Sequence, residues 1–304
     1  MAISIKKITE HIGAEIGCDC RLDQLSENDF ADVVNAVDDL SVLVFRGQPL
    51  SDEKQISFSK RFGSLETTVN SNPAGGGTVM TVLSNVDQHN KVIPPEDKRM
   101  VFNTGNQMWH TDSSFKQVPA LMSLLSGREV PSSDGETQFA SMRGAYDSLT
   151  DKKKQEIDDL VCVHDFAYSR ALIDPNLMTT QNKLEVPPVR QAMVRENPVN
   201  KKKNLFLGAH AAYVEGPALA EGRVLIAELN QKIVETEFVY SHSWKKDDLV
   251  IWDNRCVLHR ACPYDVSEPR VLQATRISGD PASELAETGA DDRASSFAPS
   301  SLNT

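Results

Sequence analysis

Short apolar runs recur along the chain, separated by segments that are rich in glycine, proline, serine or charged residues. Runs of this length, without strict alternation of polar and apolar residues, are typical of strands that are covered on both faces. The pattern therefore predicts many short strands rather than a few long helices. The predicted strands are Ser41–Gly47, Val79–Asn85, Leu121–Val130, Leu160–Ala167, Asn204–Val214, Asp248–Asn254 and Arg270–Ile277.

Three other stretches have the spacing of amphipathic helices. Ser26–Leu40 begins with a serine suited to an N-cap, and Ser51–Gly63 has acidic residues in its first turn and a glycine at its end. Pro217–Glu235 carries leucine and isoleucine on one helical face. Many short strands with few helices favour a mainly β antiparallel barrel or jelly roll with flanking helices.

The chain shows no internal repeat, and residues 1–280 are predicted to form a single domain. Residues 168–203 are polar, contain proline and are weakly periodic, which in a compact domain indicates a functional lid or a mobile insertion. Residues 281–304 are rich in alanine, serine, aspartate and glutamate. We therefore expect them to form a disordered tail.

The composition of the chain limits the kinds of molecule that the protein is expected to bind. The net charge of −11 disfavours nucleic acid and anionic lipid surfaces, although a few buried cations can still create a pocket for a small anion. No apolar stretch approaches the length of about 20 residues that a membrane helix needs, and the N-terminus lacks the apolar core of a signal peptide. Five scattered cysteines fit a reducing cytosol, and the Cys18-x-Cys20 pair indicates a strand or turn rather than half a metal site. We expect a cytoplasmic protein with a small-molecule ligand.

Two histidines and an aspartate are the candidate metal ligands. His110 and Asp112 are two residues apart, so in an extended segment their side chains project to the same side. His259 follows a predicted strand far downstream. Two neutral imidazoles and one carboxylate form the facial triad of non-haem iron(II) oxygenases, which leaves three coordination positions open. From this pattern alone a plain structural role remains open, as does a zinc hydrolase, although no His-Glu-x-x-His motif is present.

Arg270 and Thr137 are candidates for binding a carboxylate. The turn Tyr264–Pro269 lets Arg270 return into the barrel, where its guanidinium can form two parallel hydrogen bonds to a carboxylate. Thr137 follows a glycine turn and can offer its hydroxyl to the same group. A surface salt bridge for the arginine and an ordinary strand position for the threonine are the alternatives.

Several stretches of the chain resemble the taurine dioxygenase and chlorophenoxyacetate dioxygenase family, and the resemblance extends almost to Asp280. The herbicide-degrading branch is the nearer one, through Ala-His-x-x-x-Val-Glu-Gly and Trp-Asp-Asn-Arg-Cys-Val-Leu-His-Arg. The stretches are SVLVFRGQPLSDEKQISFSKRFG, NQMWHTDSSF, GETQFASMRGAYDSL, LFLGAHAAYVEG and EFVYSHSWKKDDLVIWDNRCVLHRACPYDVSEPR.

The resemblance implies a double-stranded β-helix that binds iron(II), uses 2-oxoglutarate and dioxygen as co-substrates, and forms a homo-oligomer, either a dimer or a tetramer. It implies that His110, Asp112 and His259 bind the iron, and that Thr137 and Arg270 bind the distal carboxylate of 2-oxoglutarate. The presence of a carboxylate at position 112 implies hydroxylation or another oxidation rather than halogenation.

One position departs from the family pattern. The arginine that binds the substrate anion in the family lies four residues after the co-substrate arginine, and here that residue is Ala274. Arg276 shares a strand face with Ala274 and is a candidate for the same role, the alternative being a surface cation. Gln273 and Asn106 are further candidates for substrate contacts. Taurine is therefore a poor guess for the substrate.

These features together predict an oxygenase that takes hydrogen from an unactivated C–H bond of a small carboxylate-bearing substrate and releases succinate and carbon dioxide. The expected outcome is hydroxylation or ether cleavage of an aryloxyalkanoate. An amino acid or a specialised-metabolite intermediate that undergoes desaturation or cyclisation is the alternative within this chemistry. A zinc hydrolase and a non-catalytic jelly-roll binding protein are the alternatives outside it.

Overall fold

The apolar runs form the strands of two facing antiparallel sheets. The computed structural model describes residues 3–70 and 72–282. The strands are β1 Ser4–Lys7, β2 Ala14–Gly17, β3 Val42–Phe45, β4 Met80–Ser84, β5 Ala120–Glu129, β6 Thr137–Ser141, β7 Val161–His164, β8 Val189–Ala192, β9 Val194–Glu196, β10 Lys203–Leu205, β11 Ala211–Val214, β12 Val239–His242, β13 Leu249–Asp253, β14 Val257–Ala261 and β15 Val271–Ser278.

The larger sheet has seven strands in the order β1-β2-β3-β13-β5-β15-β4, and only its β2–β3 pair is parallel. A three-stranded sheet, β12-β6-β14, lies opposite it. The space between the two sheets is filled by apolar side chains from both, among them Phe139, Trp252, Leu125 and Leu272. Two antiparallel sheets that enclose one core in this way form the predicted double-stranded β-helix. Two smaller sheets, β11-β7-β8 and β10-β9, extend the domain on one side.

Helices cover the outer faces of the sheets. In α1 (Glu27–Leu40), the side chain of Ser26 accepts a hydrogen bond from the backbone N–H of Asp29, so the predicted N-cap is present. In α2 (Asp52–Lys60), Ser51 accepts one from the backbone N–H of Lys54 and forms a cap that was not predicted. None of the described helices is both long and apolar enough to cross a membrane. The helices are α1 Glu27–Leu40, α2 Asp52–Lys60, α3 Lys98–Asn103, α4 Met142–Asp147, α5 Asp151–Ile157, α6 Phe166–Ala171, α7 Thr180–Glu185 and α8 Leu219–Ile233, with 3-10 turns at Leu22–Gln24, Thr104–Gln107 and Thr236–Phe238.

Two of the predicted strands are shorter than expected. The strand predicted over Leu160–Ala167 ends at His164, because the Asp165 carboxylate accepts a hydrogen bond from the backbone N–H of Ala167 and caps α6. The run Asn204–Val214 is split into β10 and β11 by a turn at Gly208, where φ is +109°. A side chain at Gly208 would collide with Leu258, because a Cβ there would lie 2.9 Å from a methyl carbon of that residue.

The segment 168–203, for which a lid was predicted, contains regular structure. It includes the end of α6, all of α7, and strands β8 and β9, of which β8 pairs with β7. Its first part, up to Val186, packs against Phe115 and Phe166 near the site described below. The predicted tail, residues 281–304, lies outside the described residues from position 283 onward.

Candidate metal centre

The two histidines of the predicted triad are held side by side by the backbone. His110 and His259 exchange backbone hydrogen bonds in both directions, with N···O distances of 3.0 and 2.8 Å, and their ring centres are 4.2 Å apart. Asp112 follows where the chain turns away, next to Ser113 with φ +57°. The extended geometry expected for His110 therefore ends before Asp112. One ligand atom from each of the three side chains lies within 4.8 Å of the others, and all three residues are buried.

Hydrogen bonding and burial leave the imidazoles in the form that binds metals. His110 Nδ1 lies 2.8 Å from the carbonyl oxygen of Met108, so an N–H at Nδ1 donates there and the lone pair of Nε2 is free. Burial lowers the pKa of His259 to about 3, with a further contribution from His110, and burial also lowers the pKa of His110. Both rings are therefore neutral at physiological pH.

The Asp112 carboxylate is ionised and oriented by two neighbours. Ser123 Oγ donates a hydrogen bond to Oδ2 at 2.6 Å, and Arg276 Nε lies 3.1 Å from the same oxygen. Burial alone would raise the pKa of Asp112, but Arg276 and the two histidines together hold it below its usual value. Oδ2 also lies 4.0 Å from His259 Nε2, so the carboxylate faces the imidazoles. Two neutral imidazoles and one carboxylate fit a six-coordinate iron(II) site with open positions.

A cavity of about 260 Å³ extends from the triad between the two sheets, and Thr137 and Arg270 line it. Arg270 donates to the carbonyl oxygen of Gly135 at 3.2 Å, while its buried Nε has no hydrogen-bond partner. Burial lowers its pKa, and no carboxylate within residues 3–70 and 72–282 pairs with it. Thr137 Oγ1 accepts a hydrogen bond from Trp244 Nε1 at 2.9 Å, so its own proton can point into the cavity. The pair presents one cation and one hydroxyl to a carboxylate.

A second cavity of about 60 Å³ lies on the other side of the triad and shares His110 and Asp112 with the first. Its walls are short helices and loops rather than long strands. They carry Phe102, Phe166 and Arg170 among other side chains. Arg170 was not predicted from the sequence to be a site residue. It is a lone arginine in a weakly periodic segment, so no motif or regular spacing distinguishes it from other arginines. Its burial and surroundings become visible only in the folded chain.

The candidate substrate residues occupy different places. Asn106 lines both cavities, and so does Arg276, whose guanidinium is held by Asp112 and by the hydroxyl of Thr81 at 2.9 Å. Ala274 lines the larger cavity, on the same face of β15 as Arg276. Gln273 lines neither cavity, since alternate residues of a strand face opposite sides.

Comparison with known proteins identifies the family. The family model described as "Taurine catabolism dioxygenase TauD, TfdA family" matches residues 4–276. The chain belongs to this TauD/TfdA family. A TauD/TfdA relative, the alpha-ketoglutarate-dependent 2,4-dichlorophenoxyacetate dioxygenase of Burkholderia sp. (strain RASC), is 42% identical over 259 residues, which are 84% of this chain and 87% of the relative. The (S)-phenoxypropionate/alpha-ketoglutarate-dioxygenase of Sphingobium herbicidovorans is 33% identical over 274 residues, with 88% and 92% covered.

A solved structure of this family has the same fold. The crystal structure of AAD-2 in complex with Mn(II) and N-oxalylglycine matches with a TM-score of 0.84 and 38% identity, covering 92% of this chain and 98% of that one. Alpha-ketoglutarate is another name for 2-oxoglutarate. This member of the TauD/TfdA family is therefore a dioxygenase that depends on iron(II), 2-oxoglutarate and dioxygen, as predicted. It acts on a small molecule, which was also predicted. Membership of this family excludes the two alternative functions considered from the sequence, a zinc hydrolase and a non-catalytic jelly-roll binding protein.

Proposed function

We propose that this dioxygenase oxidises an aryloxyalkanoate and that His110, Asp112 and His259 bind its iron. The observation that carries the proposal is the position of the buried triad beside Arg270, an arginine without a carboxylate partner, in one cavity. The two relatives named above act on 2,4-dichlorophenoxyacetate and on (S)-phenoxypropionate, which supports this substrate class.

Thr137 and Arg270 are proposed to bind the distal carboxylate of 2-oxoglutarate. The guanidinium offers parallel N–H donors, and the threonine hydroxyl, oriented by Trp244, offers a third donor. The opposite end of the co-substrate then reaches the triad through the same cavity. Leu125 and Trp252 line the space between and exclude water from it.

Bound iron(II) supplies the activation of dioxygen, which is coupled to the conversion of 2-oxoglutarate into succinate and carbon dioxide. The chain's own part is to keep two imidazoles neutral and one carboxylate ionised, to position both organic molecules, and to shield the site. A substrate hydroxylated beside its ether oxygen collapses into a phenol and a carbonyl compound, which is an aldehyde for an aryloxyacetate and a ketone for a 2-aryloxypropionate. The aldehyde from an aryloxyacetate is glyoxylate.

The first part of residues 168–203 is proposed to act as a lid. Its support is the packing of Met178 and Val186 against Phe115 and Phe166, which border the smaller cavity. Opening of this segment would admit substrate, and closing would exclude water. The domain boundary at residue 280 is proposed on the composition of residues 281–304, a cytoplasmic location on the scattered cysteines, and a dimeric or tetrameric state on the resemblance. Light scattering of the purified protein tests the oligomeric state.

A second candidate substrate class is an amino acid or a specialised-metabolite intermediate, processed by desaturation or cyclisation. It is favoured by Ala274, because the cation that binds the substrate anion in the family is missing at that position.

The test is succinate release with iron(II), 2-oxoglutarate and a panel of aryloxyacetates, 2-aryloxypropionates, amino acids and sulfonates. We expect aryloxyalkanoates to stimulate succinate release and to yield a phenol. Asp112→Ala removes one of the three ligands and should abolish both the stimulated and the unstimulated release. Retention of full turnover by Asp112→Ala would contradict the assignment of the triad, whereas stimulation by amino acids alone would favour the second substrate class.

A further inference from the structure

Four cationic side chains line the two cavities among the described residues, and three of them have a function or a partner. Arg276 is paired with Asp112, and Lys116 lies 2.8 Å from a carboxylate oxygen of Glu66. Arg270 is proposed to bind 2-oxoglutarate. The fourth, Arg170, has neither a carboxylate partner nor a proposed role.

Arg170 is buried and largely surrounded by aromatic rings. Only 5% of the residue is exposed, and its guanidinium carbon lies 4.6 Å from the ring centre of Phe166 and 4.9 Å from that of Phe102. Nη1 donates to the carbonyl oxygen of Phe102 at 3.2 Å, while Nε has no hydrogen-bond partner. Burial lowers its pKa to about 10, so it still carries a positive charge at neutral pH.

The surrounding backbone is shaped to admit this guanidinium. Gly105 packs directly against it, and a Cβ at that position would overlap Nη1. The next residue along the chain, Asn106, lines both cavities. A buried cation without a counter-ion is costly, since aromatic rings and one carbonyl replace only part of its hydration. An anionic group in the smaller cavity would supply the missing partner.

We infer that Arg170 binds the carboxylate of the organic substrate and so replaces the arginine that is absent at position 274. The inference rests on the proposed function and names the part of the site that selects the substrate. About 60 Å³ is room for a carboxylate and its nearest neighbours rather than for a whole aryl acid.

The substrate then occupies both cavities, with one end in each. Its carboxylate enters the smaller cavity beside Arg170, and its uncharged body lies in the larger one, where Ala274, Met100 and Val266 leave an apolar surface. The carbon to be oxidised lies between these two ends, next to the triad. An aryloxyalkanoate has this arrangement, because its oxidised carbon joins the carboxylate to the aryl ether. The substrate class is thus a monocarboxylate with a bulky uncharged group on the other side of the reacting carbon.

The experiment compares 2,4-dichlorophenoxyacetate with its uncharged amide in the wild-type protein and in Arg170→Gln and Arg170→Lys. Arg61→Gln is the control, because Arg61 also lies over an aromatic ring, 4.0 Å from the centre of Phe30, and donates to a backbone carbonyl, but it lines neither cavity and already pairs with Glu27. Succinate release gives KM and kcat for each compound, and unstimulated succinate release reports whether iron and 2-oxoglutarate are still bound.

We expect Arg170→Gln to lower kcat/KM for the acid by about 100-fold, mainly through KM, because a buried charge pair loses one partner. Its kcat/KM for the amide should fall by much less than that for the acid, because the amide brings no charge to pair with the guanidinium. Arg170→Lys should keep part of the preference for the acid over the amide, since a charge remains. Arg61→Gln should behave as wild type with both compounds.

The inference is overturned if Arg170→Gln keeps the wild-type KM for the acid, or if it loses activity with acid and amide alike, which would indicate a structural role. It is also overturned if the wild-type protein accepts the amide as readily as the acid. If the glutamine variant does not fold, as judged by its thermal unfolding, the acid-to-amide ratio of Arg170→Lys decides. Failure of the wild-type protein to turn over the acid or any other aryloxyalkanoate would instead contradict the proposed function, and the inference with it.

Discussion

The two sides of the triad differ in how they are built. The proposed co-substrate side, with Thr137 and Arg270, stands at the ends of strands inside the barrel, and β15 is paired with strands along both of its edges. The proposed substrate side, with Phe102, Phe166 and Arg170, stands on two six-residue helices. Strands in the middle of a sheet hold side chains in place, whereas short helices and loops are more easily changed. The difference indicates that co-substrate binding is rigidly set and that substrate choice resides in the changeable part.

The largest effect in this comparison is expected from Arg270→Gln. Loss of the guanidinium leaves the co-substrate carboxylate with the Thr137 hydroxyl alone, so KM for 2-oxoglutarate should rise by about 100-fold. KM for the acid substrate, measured at saturating 2-oxoglutarate, should change little. Titration of both compounds checks this against Arg170→Gln, for which the opposite pattern is expected. Equal effects of either variant on both KM values would break the division into two sides.

A smaller effect is expected from Thr137→Val, which keeps the shape of the side chain and removes its hydroxyl. The co-substrate loses one hydrogen bond, and the indole N–H of Trp244 loses its acceptor. KM for 2-oxoglutarate should rise about tenfold or less. Thr275→Val is a suitable control, since Thr275 is also buried on a strand but its hydroxyl bonds to Ser59. An unchanged KM in Thr137→Val would remove Thr137 from the co-substrate side.

The smallest effect at neutral pH concerns His164, which ends β7 directly before α6 and so supports the substrate side. Burial lowers its pKa from 6.5 to about 3. Between these values the unfolded chain binds a proton that the folded chain does not, so stability falls as the pH falls below 6.5. The loss from this histidine is at most about 1.4 kcal/mol per pH unit.

Urea unfolding at neutral pH and at about pH 5.5 measures this loss, and His164→Gln should reduce the slope by up to one proton. Other buried histidines also contribute to the pH dependence of the unfolding free energy in the wild-type protein. The contribution of His164 is therefore the difference in slope between wild type and His164→Gln. Identical slopes in wild type and variant would show that the folded chain already protonates His164, contrary to its burial.

Much of the fold and half of the site follow from the sequence, because they depend on regular spacing. Alternation along one strand places Ala274 and Arg276 on one face, and the structure has both along the larger cavity. Gln273 was a candidate for a substrate contact, but the same alternation turns it away from that cavity. The break at Gly208 and the end of β7 were not predicted, since both depend on one residue overriding an apolar run.

The environment of Arg170 could not be predicted from the spacing of residues along the sequence. Its surroundings combine Phe166, four residues earlier in the same helix, with the ring and carbonyl of Phe102, 68 residues away. Only tertiary packing brings these groups together, and no periodic pattern relates them. The sequence reveals the missing arginine at Ala274, but the position of its proposed replacement requires the fold.

The cations that line the two cavities also have a consequence for how the protein should be handled. The chain as a whole carries a net charge of −11, yet the described residues that line the two cavities include four cationic side chains and only two carboxylates, those of Asp112 and Glu66. The exterior therefore repels anions while the interior attracts them. Phosphate and sulfate in a buffer would occupy the same positions as the two organic carboxylates. Apparent affinities measured in such buffers will be too weak, and buffers with cationic or zwitterionic components are the better choice.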